Sequence, residues 1–339
     1  MAGVSIGTVD RVIHNRGQVS PETRDRVLTI IKKADFHPDV LASALASKKK
    51  VRFLVLTPEF NDDSSFWKAP LNGMKKAIAE ISHFGVEVTF LHFDQFEPKS
   101  FQNQARKVIR LKPDGVLLAP VQYQQSVELV KSCIENNIPC VFINSNIEEL
   151  NYLSYIGQDA IQSGYLAAKL MSLGFPVDSE ILVVNISRQI VNHRHILKRN
   201  TGFENYYHDH PELKVHINTI NIENTDQDFI NRSLDKVFSR NGNIHGIFVP
   251  TSRVFKVAAY LNARKKSVRL IGYDLIEENI PFLENETIDF LISQKPIDQG
   301  YYGIMALVNH LVLKKENRKN LFLPIDIITK ENLNYYLEY

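Results

Sequence analysis

Cysteine is scarce in this 339-residue chain, which has two, Cys133 and Cys140. Two thiols with no companion histidine cluster make a poor metal set, and both read as core residues of a protein from a reducing compartment. Long apolar runs are missing as well. Nothing approaches the ~18 residues of a membrane span, and the N-terminus has no apolar stretch of the secretory-signal kind, so a cytoplasmic protein without a membrane partner is expected. A P-loop, an HExxH pair, a nucleophile elbow and a dinucleotide glycine fingerprint are all absent. No carboxylate pair stands at a spacing that suggests glycoside hydrolysis. The sequence therefore offers no support for an enzyme, and no cofactor or metal is called for.

Net charge is also small, +2 over the whole chain, but it is unevenly spread. Residues 1–50 hold nine Lys and Arg against five acids, whereas the remainder holds 31 against 33. A basic arm on a neutral body suits a polyanionic partner for the arm alone.

The arm opens with VSIGTVDRVIHNRG at 4–17. Val4, Val9, Val12 and Ile13 share one side at helical spacing, with Ser5 as N-cap and a stop near Gly17. A second helix starts at Ser20-Pro21-Glu22, where serine caps and proline suits the first helical position. Val27, Ile30 and Ile31 supply its apolar face. After Pro38, the segment Val40–Ala46 predicts one short helix of small residues plus Leu41 and Leu45. Alone it is too short to be stable, and it needs a partner to order it.

From residue 51 onward, apolar runs alternate with amphipathic stretches. Strands are expected at 51–58, 86–93, 114–120, 139–144, 180–185, 214–220, 245–250, 268–274, 287–293 and 321–328. Helices are expected at 67–82, 100–110, 123–137, 159–173, 198–208, 226–239, 253–263 and 297–314. Such βαβα alternation predicts α/β architecture with parallel doubly wound sheets. Nearly 290 residues exceed one such sheet, so two lobes are expected, with ligand held between them at the carboxyl ends of strands.

The segment AGVSIGTVDRVIHNRGQVSPETRDRV, followed by PDVLASALA, resembles the DNA-binding headpiece and hinge of the lac repressor family. The resemblance implies a headpiece at 1–37, a hinge helix and linker at 38–50, and a two-lobed effector-binding and dimerisation domain at 51–339. It places Ile6 and Gly7 at base-reading positions, Thr8 against phosphate, Arg11 at a polar DNA contact and Gln18 near the backbone. Leu45 becomes a wedge for the minor groove, a role in which an apolar side chain unstacks and kinks a base step. Taken singly, Arg11 reads more readily as a solvated charge and Leu45 as linker packing; the ordered set reverses this and favours DNA. The sequence departs from the family at Asp10, where a carboxylate faces phosphate, and at Gly7, which offers no side chain. Family members also carry an upstream helix that completes the helix-turn-helix. As written, the chain is expected to hold a truncated headpiece with weakened operator binding, Met1 standing where the family has the turn.

The body carries a second resemblance. PEFNDDSSFWKAPLNGMKKA, IPCVFINSN, YIGQDAIQSGYLAA, KRNTGFENY, LIGYD and ISQKPIDQGYYG occur in the order of landmarks of the type I periplasmic sugar-binding fold. On that resemblance the ligand-binding residues are Phe66, Trp67, Asn144, Ser145, Asp159, Arg199, Asp274 and Gln294. Flat aromatics cover sugar C–H faces, and amides, carboxylates and guanidinium hold hydroxyls. Trp67 has an alternative as core packing, and Asp159 as a helix cap. The uncharged Asn144-Ser145, and Thr251-Ser252 in place of a common Asn-Asp, point away from the family's commonest pentoses and hexoses.

Together the two resemblances imply a sugar-responsive transcriptional regulator of repressor type, a homodimer with operator DNA and a small carbohydrate-like effector as partners. The competing expectation is a solute-binding protein for sugar uptake with no DNA-binding role.

Overall fold

The computed structural model describes residues 2–13, 17, 19–33, 50–61, 65–188, 194–240 and 243–337. These fall into two compact units, 1–48 and 49–339.

The first unit contributes two described helices, Ile6–Ile13 and Pro21–Lys33. Each begins as its sequence predicts. Ser5 Oγ accepts from the Thr8 amide at 3.2 Å and Ser20 Oγ from the Thr23 amide at 3.4 Å, meeting two of the donors that every helix start leaves open. Val12 and Val27 are buried, whereas Ile6 is 90% exposed and Gly7 and Arg11 also face outward. Gln18, Leu45 and the hinge segment expected over 40–46 lie outside the described residues.

The second unit consists of two six-stranded sheets. One lobe holds β1 (Val51–Pro58), β2 (Val86–Phe93), β3 (Gly115–Leu118), β4 (Cys140–Ile143), β5 (Ser154–Gly157) and β11 (Asn320–Phe322), in the order β11-β5-β4-β3-β1-β2. The other holds β6 (Glu180–Ile186), β7 (His216–Ile222), β8 (Ile244–Phe248), β9 (Arg269–Tyr273), β10 (Phe290–Ser293) and β12 (Asp326–Ile328), in the order β12-β10-β9-β8-β6-β7. The two orders correspond strand for strand. All pairings are parallel except β10 with β12. Helices cover both faces of the second sheet, which explains why its central strands are continuous apolar runs: Leu182, Val184 and Ile186 face one helical layer, Ile181 and Val183 the other. Cys133 and Cys140 are both buried and free.

The chain passes between lobes three times, at 158–159, 294–295 and 323–325, after β5, β10 and β11. The third passage corrects the expected strand at 321–328. That run is two strands in different sheets, and the turn between them contains Leu323-Pro324, where proline cannot supply a ladder donor. Immediately after each of the first two passages, a helix packs tightly on a neighbour. A Cβ on Gly164 would lie 2.0 Å from the Arg199 carbonyl oxygen, and one on Gly202 would lie 1.9 Å from that of Ile161. The first lobe repeats the arrangement, with Gly73 against the Ile297 carbonyl at 1.9 Å and Gly300 against that of Pro70 at 2.0 Å. Among the described residues, no helix is long and apolar enough to cross a membrane.

Candidate ligand-binding cleft

Strand ends from both sheets converge on the space between the lobes. β4 ends at Ile143 and β9 at Tyr273; the next residues, Asn144 and Asp274, take left-handed backbone with φ of 67° and 66°. Short polar side chains tolerate that region best, and the turn aims both side chains into the cleft instead of along their strands. Gln294, at the second passage, joins them. Its amide accepts from Asn144 Nδ2 at 3.4 Å and donates to Asp274 Oδ2 at 2.8 Å.

Asp274 is buried, and burial pushes its carboxyl up to about 6, although Arg199 and the Gln294 bond pull the other way. Its second oxygen, Oδ1, has no protein partner among the described residues. Arg199, 2% exposed, holds its guanidinium carbon over the Tyr273 ring at 3.7 Å and donates from Nη1 to the Pro250 carbonyl at 2.8 Å; its Nε also lacks a protein partner among the described residues. An unmet acceptor and an unmet donor on residues that line one cavity suit a ligand hydroxyl that can give and take a hydrogen bond. Phe66 and Trp67 close the opposite wall as an edge-to-face pair, with ring centres 5.1 Å apart.

Six of the eight residues expected from sequence therefore line one cavity: Phe66, Trp67, Asn144, Arg199, Asp274 and Gln294. Its space, partly open to solvent, is about 520 Å³. Ser145 and Asp159 line a neighbouring compartment instead. Ser145 turns its hydroxyl to His195 Nδ1 at 3.1 Å, and Asp159 caps the helix Ala160–Ser172 by accepting from the Gln162 amide at 3.0 Å. Gln95, His195 and Arg253 also line the central cavity, and sequence reasoning did not single them out. Gln95 accepts from the Trp67 indole at 3.5 Å. His195 sits at the start of the helix Arg194–Asp209, in the basic run RHILKRN, whose charge was the available signal.

The rims are polar. Arg194 pairs with Glu149 and Lys198 with Glu148 on one flank; Lys68 pairs with Glu277 on the other. Arg188 and Arg253 of the second lobe lie over Phe96 of the first, at 4.9 Å and 5.4 Å. Solvated contacts of this kind are individually weak, so the lobes can separate. Among the described residues, no group of three or more His, Cys, Asp or Glu is placed to hold a metal ion.

Two parallel-sheet lobes with a polar, aromatic-walled cleft at their strand ends define a small-molecule-binding domain of the periplasmic-binding type. Known proteins agree. Residues 54–316 match the periplasmic binding protein domain, and residues 1–39 match the description "bacterial regulatory proteins, lacI family". A solved structure described as a LacI transcriptional regulator from Bacteroides fragilis is 31% identical, with a TM-score of 0.76 over 85% of this chain and 100% of that one. The chain belongs to the lacI family of bacterial regulatory proteins. Curated relatives include the HTH-type transcriptional regulator DegA of Bacillus subtilis, 29% identical over 51% of this chain and 50% of that protein. The sucrose operon repressor of Escherichia coli is 27% identical over 52% of this chain and 51% of its own length. The matched stretch thus spans about half the length of each. A glucose-galactose binding protein of Geobacillus stearothermophilus, 20% identical with a TM-score of 0.74 over 84% of this chain and 99% of that one, shares the fold.

Proposed function

We propose that the chain is a carbohydrate-responsive transcriptional repressor acting as a homodimer, with effector between the lobes and operator DNA on the N-terminal unit. The observation that carries this reading is the pair of buried, unpartnered atoms, Asp274 Oδ1 and Arg199 Nε, facing a cavity walled by Phe66 and Trp67. A polyhydroxylated ring can bond to both atoms and pack its C–H face against the aromatic wall. Solvent exposure of Ile6, Gly7 and Arg11 on one short helix supports DNA contact there, since an apolar side chain left in water gains by docking. Effector stabilises one angle between the lobes and so changes operator affinity; by linkage, DNA must change effector affinity by the same factor.

The test is a thermal-shift screen of sugars and sugar phosphates, followed by selection of bound DNA from a random pool with and without the best ligand. A rise in melting temperature by mass action, together with ligand-dependent DNA retention, is expected. A dimeric chain that ignores every carbohydrate and retains no DNA overturns the reading. Analytical ultracentrifugation checks the dimer.

A further inference from the structure

The compartment beside the central cavity is lined in part by Asn144, Ser145, Tyr155, Gln158, Asp159 and Phe322. Asn144 and His195 line both spaces, and Ser145 of the second is hydrogen-bonded to His195, so this pair of side chains marks where the two spaces meet. Both spaces are partly open to solvent. Two features show that the second is built to receive something.

Gln158 is 4% exposed and donates from Nε2 to the Ser293 carbonyl at 3.0 Å, yet its Oε1 has no protein partner among the described residues. A buried acceptor left empty is costly unless a donor reaches it. Phe322, at the end of β11, keeps 52% of its surface exposed while Tyr155 holds it edge-on at 6.2 Å. An aromatic face turned to a cavity beside carboxamide and carboxylate acceptors repeats the chemistry of the central site.

We propose that this compartment is a second sugar subsite, so that the effector is an extended carbohydrate, a disaccharide or longer, whose second ring passes the Ser145–His195 pair and stacks on Phe322. The inference rests on the carbohydrate reading of the central cavity and specifies its ligand. The opposite flank offers the rival exit. There Phe60 is 50% exposed in an open groove whose buried acceptor, Asp274, already faces the central cavity.

The experiment is isothermal titration of the full chain with matched pairs: D-glucose and maltose, D-galactose and melibiose, D-xylose and xylobiose, D-fructose and sucrose. In at least one pair the disaccharide is expected to bind about tenfold tighter than its monosaccharide. Phe322→Ala is expected to erase that advantage and leave monosaccharide affinity unchanged; Phe60→Ala is expected to preserve both. Equal or tighter binding of the monosaccharide in every pair overturns the second subsite and leaves the central site standing. Loss of the advantage in Phe60→Ala, and not in Phe322→Ala, places the second ring on the other flank and also overturns it. If neither member of any pair binds, the carbohydrate reading falls and takes this one with it.

Discussion

Asn144 and Asp274 are counterparts: each follows the third strand from the β11 or β12 edge of its sheet, each is left-handed, and one amide, Gln294, bonds to both. A residue on the second passage therefore reads the position of both lobes at once. Replacing Gln294 with Met keeps the volume and removes both bonds, leaving Asp274 with a second unmet oxygen. Destabilisation of about 1–3 kcal/mol is expected, measured by urea unfolding, together with weaker effector binding.

The raised carboxyl of Asp274 sets a pH dependence. A carboxyl at about 6 in the folded chain binds its proton more tightly than the same group unfolded, at 3.8. Folded stability is therefore favoured at acid pH, falls as pH rises from about 4 through about 6, and levels off above. At 1.36 kcal/mol per pH unit the drop is at most roughly 3 kcal/mol. Asp274→Asn should flatten this profile and raise the unfolding free energy of the ligand-free chain at pH 7 while abolishing effector binding. Urea melts between pH 4.5 and 7.5 check it; a variant less stable than the parent at pH 7 would contradict it.

Arg199 should not tolerate lysine. An ammonium cannot sit over Tyr273 while also donating to the Pro250 carbonyl and presenting a further N–H to the cleft. Arg199→Lys is expected to cost roughly 2 kcal/mol of stability and to weaken effector binding, with circular dichroism confirming a retained fold.

The glycine seams give a contrast between lobes. Gly164→Ala and Gly73→Ala each drive a methyl into a backbone carbonyl and should destabilise by about 1–3 kcal/mol. Only in Gly164→Ala is the displaced carbonyl that of Arg199, so calorimetry should show a fall in effector affinity beyond that of Gly73→Ala.

Reversing charge on one rim should push the lobes apart. Glu148→Lys with Glu149→Lys sets four cations facing one another on one flank. A larger radius of gyration in small-angle scattering is expected, with recovery when Arg194 and Lys198 are also changed to Glu. These charges are solvated, so the difference should shrink as salt rises.

Much of this was legible in the chain. Serine caps at Ser5 and Ser20 act locally, and local chemistry can be read without tertiary context. The central strands, buried on both faces, show as unbroken apolar runs. β5 did not register as a strand because Ser154–Gly157 is four residues with little apolar length, placed by its neighbours β4 and β11. Leu321–Ile328 looked like one strand because apolarity does not say which sheet a residue joins. In the cleft, Phe66, Asn144, Asp274 and Gln294 fell at landmark positions, whereas Gln95, His195 and Arg253 come from three distant segments with no common spacing. Ser145 and Asp159 also sit at landmarks, but spacing does not show that they line the neighbouring compartment, where Ser145 bonds to His195 and Asp159 caps a helix.

The three passages mean that neither lobe is one continuous stretch of polypeptide. The first lobe lacks an edge strand until residue 320 has been synthesised, and the second lacks one until residue 326. On the ribosome, then, the two halves reach completion almost together, once residues 320–328 have been made, and neither can be cut out and produced as an uninterrupted fragment.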